Sequence, residues 1–275
     1  MYKVRDEFKD ALTDSEELLY YLKRKANNHN NYRIYTEYSR VENILNTKAL
    51  YLNDGSNWND KLDRESFNSN DDKKNFGLCF SFSRLENIAM WMLYGGLNNC
   101  GTMINFSKKE IRNILENKGP IELGYVNDKK FCTVKSIDKE QYKIMMIDIV
   151  YYDCDNCLIK LKHSDKTAEI KDLNELYNIE SVLNDLSFCK KTAHWRYENE
   201  CRLIVSVDRA FIDDDRIATV KLPIGDTVDL CNIEKNIIHS PDYRAPFKYK
   251  KSALTGKVDW DLRKGCKYYN EDKCL

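Results

Sequence analysis

The residues best able to do chemistry lie between Phe188 and Val207, in FCKKTAHWRYENECRLIVSV. Lys190, Trp195, Tyr197, Glu198, Glu200 and Arg202 fall within thirteen positions, just ahead of a β-forming run. Side chains alternate along a strand, which predicts Tyr197, Cys201, Leu203, Val205 and Val207 on one face. Glu198, Glu200 and Arg202 then share the other. Two carboxylates at this spacing lie roughly 6–7 Å apart and repel unless a cation or a donor sits between them. Such a pair could stabilise developing positive charge, bind an ion, or form a solvated face neutralised by Arg202.

Two further patches carry functional side chains. Arg33 lies on YRIYTE (32–37), whose alternation predicts a strand. FGLCFSFS (76–83) reads as a buried strand, with Phe76, Leu78, Phe80 and Phe82 on one face and Gly77, Cys79, Ser81 and Ser83 on the other. A face of small side chains leaves room for a ligand or a packed helix. Between these patches, 53–75 is a polar segment with almost no periodic apolar residues, and long loops in compact domains are commonly functional or disordered. Trp58 within it needs something to pack against, and an active-site rim is the expected role. Asn59 and Asp60 serve either as turn residues or as ligand contacts.

The elements that must position these residues are legible in outline. DSEELLYYLKRKA (14–26) predicts an amphipathic helix, with acids first and bases last as the helix dipole favours. Ser39 with Glu42, and Ser107 with Glu110, have capping-box spacing. ALYL (49–52), GTMINFS (101–107), IELGYV, FCTVKSI, the long IMMIDIVYY, LIKLK, LIVSV, IATVKL, NIIHS and a closing TGKVDWDL read as strands. ENIAMWMLYGG (86–96) and AEIKDLNELYNIESVLNDLSFCKK read as helical, and Trp91 and Tyr94 on the first of these read as core. The expected fold is α+β, a single domain over residues 1–275 with a largely antiparallel mixed sheet flanked by helices. It divides into a helical extension (1–31), a core (32–206) and C-terminal strands (207–275).

Composition narrows the function classes. A chain of 275 residues with 42% hydrophobic content can bury an ample core. The 44 basic and 44 acidic residues cancel, so no bulk charge favours coating nucleic acid or an anionic membrane. MYKVRDEFKDAL lacks an apolar signal core and no run approaches membrane-spanning length, which predicts a cytoplasmic protein with no membrane partner. Ten scattered cysteines then read as reduced, mostly buried thiols. Cys154 and Cys157 form a C-x-x-C, but His29, His163, His194 and His239 show no matching pair. His163, Cys266 and Cys274 could join it only through folding, and no metal is expected. No Ser or Cys nucleophile with its own orienting acid accompanies His194.

In order, Arg33, then S-x-S (Ser81, Phe82, Ser83), then E-x-E (Glu198, Asn199, Glu200) resembles the arginine–serine–glutamate class of ADP-ribosyltransferases. The resemblance implies NAD as co-substrate. Arg33 would contact its phosphates, and Ser81 would support the nicotinamide ribose and the catalytic glutamate. Glu200 would hold the ribose 2′-hydroxyl, and Glu198 would position or deprotonate an acceptor. Ser83 belongs to the same middle motif, and Tyr35, Trp195 and Tyr197 could stack on nicotinamide. The class usually has S-T-S where Phe82 stands, and the 117-residue interval from Ser81 to Glu198 implies an insertion. A broader series of anchors looks like a bacterial family catalogued as domain of unknown function 2971. These are Y-R-I-Y, L-Y-L-N-D with W-N-D, C-F-S-F-S, M-W-M-L-Y, G-T-M-I-N-F and K-K-x-x-x-W-x-Y-E-N-E-C-R, over roughly residues 32–206. NIIHSP echoes that family's end. This resemblance implies a signature of Arg33, Asn59, Asp60, Ser81, Trp91, Tyr94, Lys191, Trp195, Glu198, Glu200 and Arg202. Asn98, Asn99, Cys100 and Gly101 replace its usual histidine–glycine step.

Three readings follow. In the first, the protein is an NAD-consuming ADP-ribosyltransferase acting on a macromolecular acceptor (protein or nucleic acid), or an NAD hydrolase, in a toxin or defence setting. The second is a metal-dependent nuclease or phosphoesterase using Asp54, Asp60, Asp63, Glu198 and Glu200 with Lys191. The third is a non-catalytic nucleotide-binding or interaction module with a structural ion-pair row.

Overall fold

The computed structural model describes residues 7–69, 72–95, 101–155, 158–241 and 249–255. The chain starts with α1 (Glu7–Ala11) and α2 (Ser15–Ala26), and the Asp14 carboxylate caps α2 by accepting the N–H groups of Glu16 and Glu17. β1 (Asn31–Glu37), α3 (Tyr38–Thr47) and β2 (Ala49–Asn53) follow. Ser39 does not cap α3. The strand runs straight into the helix, so the turn begins earlier, with Glu37 at the N-cap and no side-chain cap bond. The polar segment contains α4 (Lys61–Ser66), capped by Asp60, and leads into β3 (Lys73–Ser81). α5 (Ile88–Tyr94) runs from an Asn87 cap to Gly95. β4 (Gly101–Ser107) passes through the expected Ser107–Glu110 capping box into α6 (Lys108–Leu115).

A hairpin of β5 (Ile121–Asn127) and β6 (Lys130–Ile137) turns at Asp128 and Lys129, both at positive φ. Then come β7 (Tyr142–Asp148), β8 (Val150–Asp155), β9 (Leu158–His163) and β10 (Lys166–Ile170). The run IMMIDIVYY is therefore not one strand. It breaks at Ile149, where its halves join different sheets, a choice that a continuous apolar run does not encode. The stretch from Ala168 likewise begins as strand, because β10 pairs with β9 before Asp172 caps α7 (Leu173–Asp185). The remaining elements are β11 (Lys190–Thr192), β12 (Glu200–Asp208), β13 (Thr219–Pro223), α8 (Leu230–Lys235), β14 (Ile237–His239) and β15 (Lys250–Lys251).

Among the described residues, eleven strands form one sheet, mostly antiparallel as expected, and β10-β9-β8-β11 form a second. β3 is the fork of the large sheet. It pairs along its whole length with β12, while its opposite edge meets β1 at Ser81 and β2 at Gly77. One face of the sheet buries Tyr32, Phe76, Phe80, Phe106, Leu203 and Val205 beneath α3, α6 and α8. The other face meets α1, α2, α7 and the second sheet through Phe67, Ile147, Ile204, Leu22, Leu161 and Leu183. The described part of the N-terminal extension, residues 7–31, thus contributes to the core through Phe8, Leu18 and Leu22.

At Gly77 the small face of β3 is filled from the polar segment. A Cβ on Gly77 would come within 2.9 Å of Phe67 Cζ and 3.1 Å of Trp58 Cζ2. Trp58 therefore anchors this segment to the sheet. Cys79, Cys132, Cys189, Cys201 and Cys231 are free thiols, and Cys189 and Cys201 are buried. The Cys154 and Cys157 side chains, Cys266, Cys274, positions 98–100 and the closing stretch from 256 onward lie outside the described residues. No helix among the described residues is long and apolar enough to cross a membrane. Because the aromatic pair leaves no space at Gly77, Gly77→Ala should destabilise the fold by about 1–3 kcal/mol in urea unfolding. An unchanged midpoint would contradict this packing.

Candidate functional site

Five charged side chains meet where the N-terminal end of β12 faces β11 and α4. Arg202 is fully buried. Its Nη1 and Nη2 donate to the two Asp63 carboxylate oxygens at 2.9 and 2.6 Å, and its Nε to Glu200 Oε1 at 2.5 Å. Nη1 also reaches the Phe188 carbonyl at 3.0 Å, tying the sheet to the turn after α7. Trp58 lies against the guanidinium at 4.5 Å. Lys191 Nζ donates to Glu198 Oε2 at 2.6 Å and Glu200 Oε2 at 2.9 Å, and lies 3.8 Å from Asp63. Trp195 covers this ammonium at 4.9 Å. None of the five is more than 7% exposed, so this is a closed cluster and not the solvated face that the alternation allowed.

Glu198 is not on the strand. Residues Ala193–Glu198 form a 3₁₀ helix and Asn199 adopts a left-handed conformation at φ 44°, which asparagine tolerates well. The strict alternation through Tyr197 and Glu198 therefore fails, yet the turn brings both glutamates to Lys191. Three bonds fix it there. Ser81 Oγ donates to the Glu198 carbonyl at 2.7 Å, Asn87 Nδ2 to the Tyr197 carbonyl at 2.6 Å, and the Glu200 N–H to Tyr151 Oη at 2.9 Å. Tyr94, at the end of α5, donates to Glu198 Oε1 at 2.6 Å.

The environment pulls the two glutamates apart. Burial favours the neutral form of both. For Glu200, Arg202 and Lys191 outweigh burial and hold the carboxyl far below the usual range. Glu198 is pushed up to about 7 by burial and by the neighbouring Glu200 charge, which Lys191 and Tyr94 offset only in part. Burial also raises Asp63, despite Arg202. Burial opposes the Lys191 charge, but Glu200 and Glu198 prevail and keep it protonated.

Arg33, Ser81 and Glu200 form one row across three adjacent strands. Ser81 is the register partner of Arg33 on one side and of Glu200 on the other. Paired residues share a face, and two strand spacings put the Arg33 and Glu200 backbones about 10 Å apart. Arg33 Nη2 donates to the Arg84 carbonyl at 3.0 Å, while its Nε and Nη1 are buried without a hydrogen-bond partner. Tyr35 is packed, edge-on to Trp91 at 4.9 Å, and its hydroxyl accepts the Asn87 N–H. Ser83 Oγ bonds the Leu85 carbonyl in the turn after β3. Trp195 and Tyr197 are half-buried with ring centres 6.0 Å apart. The structure thus gathers Glu198, Glu200 and Trp195 around Lys191, with Ser81 bonded to the Glu198 backbone and Arg33 further along the row. Tyr35 packs on Trp91 with its hydroxyl beside the Arg33 side chain, and Ser83 makes a turn contact.

Sequence reasoning missed a second buried constellation. Asp148 Oδ1 accepts from His29 Nε2 at 2.7 Å and Oδ2 from His163 Nε2 at 2.9 Å, and Tyr21 Oη meets His163 Nδ1 at 3.3 Å. The lone acid in the apolar run IMMIDIV was the available signal, since a buried carboxylate requires donors. Here they come from histidines far apart in sequence. Burial raises the Asp148 carboxyl, but the histidine bonds prevail and hold it low. His29 stacks on Phe82 at 3.9 Å, which ties this cluster to the residue after Ser81. Next to the five-group cluster, a cavity of about 250 Å³ is lined by Asp60, Asp63, Ser66, Lys190, Lys191 and Thr192, among others.

Residues 90–203 match the family described as a protein of unknown function, DUF2971. The matched span includes Trp91, Tyr94, Lys191, Trp195, Glu198, Glu200 and Arg202. No curated protein and no solved structure matches the chain.

The raised Glu198 carboxyl has a consequence for stability. A carboxyl with a raised folded-state pKa contributes stability at low pH and loses it as pH rises from its unfolded value of 4.5 to about 7. Glu198→Gln resembles the protonated form, so wild type should lose stability relative to it across that window, on the order of a few kcal/mol. Parallel stability curves in urea from pH 4 to 8 would contradict a raised Glu198.

Proposed function

We propose that the protein is an NAD-consuming transferase that moves ADP-ribose to a macromolecular acceptor, or hydrolyses NAD when no acceptor is bound. The observation that carries this reading is the Arg33–Ser81–Glu200 row on neighbouring strands. Breaking the nicotinamide–ribose bond develops an oxocarbenium-like cation, and a carboxylate already fixed in place stabilises that charge. Glu200 suits the task because its two cationic neighbours keep it ionised. Arg33 suits phosphate recognition because two of its guanidinium nitrogens are buried and unpartnered. Glu198, poised near neutrality, suits deprotonation of an acceptor. Ser81 would act by holding the Glu198 backbone in position. Lys191, Tyr94 and Trp195 cover both carboxylates, so substrate entry requires α5 and the 193–198 turn to shift. A cytoplasmic setting and a toxin or defence role belong to the same proposal, by analogy alone.

One observation favours a second reading, the non-catalytic module. The five charged groups satisfy one another and are almost wholly buried, as in a structural staple. The phosphoesterase reading draws less support. Asp54 pairs with Lys74 at 3.2 Å, Asp60 caps α4, and the remaining acids converge on Lys191 and Arg202.

Purified protein, with and without lysate, should release nicotinamide from NAD. Glu200→Ala and the better-tolerated Glu200→Gln should fall to background while remaining folded by circular dichroism. Wild-type release by either folded variant would sink the assignment. Glu198→Ala should reduce labelling of lysate acceptors roughly 10²- to 10⁴-fold while sparing hydrolysis. Arg33→Gln should raise KM for NAD roughly 10- to 100-fold, and an unchanged KM would remove Arg33 from the site.

A further inference from the structure

The five-group cluster has an unbalanced charge. Asp63, Glu198 and Glu200 face Lys191 and Arg202, so the fully ionised set carries one excess negative charge in a site that is at most 7% exposed. A low-dielectric interior disfavours net charge, and a bound proton is the simplest remedy. Geometry decides where that proton goes. Asp63 holds Arg202 through both oxygens, and Glu200 contacts both cations. Glu198 makes its close cation contact with Lys191 alone, an ammonium it shares with Glu200. Its other oxygen faces the hydroxyl of half-buried Tyr94 at 2.6 Å.

We propose that Glu198 and Tyr94 form a proton relay: Glu198 takes up the proton that the cluster lacks, and Tyr94, half-buried at the end of α5, passes it between Glu198 and the exposed side of its own hydroxyl. Lys191 is the positioning residue, holding Glu198 beside Glu200. In the loading direction, an O–H or N–H donor that reaches the exposed side of Tyr94 gives its proton to Tyr94 Oη as Tyr94 gives its own to Glu198 Oε1. Glu198 passes from carboxylate to carboxylic acid, the donor carries the charge Glu198 gave up, and Tyr94 is neutral before and after. A hydroxyl can both donate and accept, so the bond to Glu198 survives either direction. Burial and Glu198 raise the Tyr94 phenol, so a standing phenolate plays no part. The groups that set the Glu198 titration come from every element around it. They are Lys191 on β11, Tyr94 on α5, Glu200 on β12, Tyr197 on its own turn and Tyr151 on β8, with Arg202 and Asp63 acting through Glu200 and Lys191. Used to deprotonate an acceptor, the relay rests on the transferase reading. The relay itself does not.

The test is a ¹³C NMR pH titration of the full chain labelled at glutamate carboxyl carbons, with Glu198→Gln to assign the resonance. Wild type should show a Glu198 midpoint near 7. Tyr94→Phe, a mild change, should move it upward, because the bond to the carboxylate is lost. Glu200→Gln should move it downward by about one unit or more, because the neighbouring charge is lost. A midpoint in the ordinary glutamate range, or one that Tyr94→Phe leaves in place, overturns the relay. In NAD assays, Tyr94→Phe should reduce acceptor labelling and shift the pH profile of the residual transfer upward. If wild type turns over no NAD while the titration behaves as described, the transferase reading fails and the relay stands.

Discussion

The structure around the candidate site depends on one buried guanidinium. Arg202 sits at the point where the large sheet, α4 and the turn after α7 converge, and its donors reach a partner in each. A buried charge without such partners would destabilise the protein, and removing one member of a buried pair typically costs about 3–5 kcal/mol. The requirement runs in both directions. Asp63 fixes the first turn of α4, which helps hold Trp58 and Phe67 over Gly77. Glu200 is left ionised at the start of β12, where Lys191 can bridge it to Glu198. An apolar residue at position 202 could pack there, but it would leave Asp63, Glu198 and Glu200 to share Lys191 alone.

The arrangement separates two chemically identical carboxylates. Glu200 and Glu198 are two residues apart and contact the same ammonium, yet one is held ionised and the other titrates near neutrality. The difference follows from backbone conformation. Glu200 is the first residue of β12 and points to Arg202 on the same strand face. Glu198 ends a 3₁₀ turn held by Ser81 and Asn87, and points to Tyr94. Divergent pKa values in adjacent acids are a common basis for dividing acid–base work. In the transferase reading, one group stabilises positive charge and the other moves a proton.

Much of the fold was legible because local signals agreed with one another. Strands such as GTMINFS, the small and large faces of 76–81, and the Ser107–Glu110 box follow from alternation and capping chemistry, and the structure contains them, although β3 ends before Phe82 and Ser83. What local pattern could not supply was partner choice. IMMIDIVYY reads as one apolar run, although its halves join different sheets at Ile149. The E-x-E motif reads as strand because nothing but Asn199 signals a left-handed break. Asp63 sits in a segment without periodicity, and Asp148, His29 and His163 meet only through tertiary folding. The motif residues Arg33, Ser81 and Glu200 were identifiable one by one. Their alignment in a single row is a matter of register, which depends on long-range pairing.

The most direct test of the central claim is a crystal structure of the protein with a non-hydrolysable NAD analogue. If the protein consumes NAD, the pyrophosphate should lie against the unpartnered nitrogens of Arg33 and the nicotinamide-side ribose along the row to Glu200, with α5 and the 193–198 turn displaced to admit it. An analogue bound elsewhere, or a saturated protein in which Lys191, Glu198 and Glu200 remain closed and Arg33 unoccupied, would contradict it.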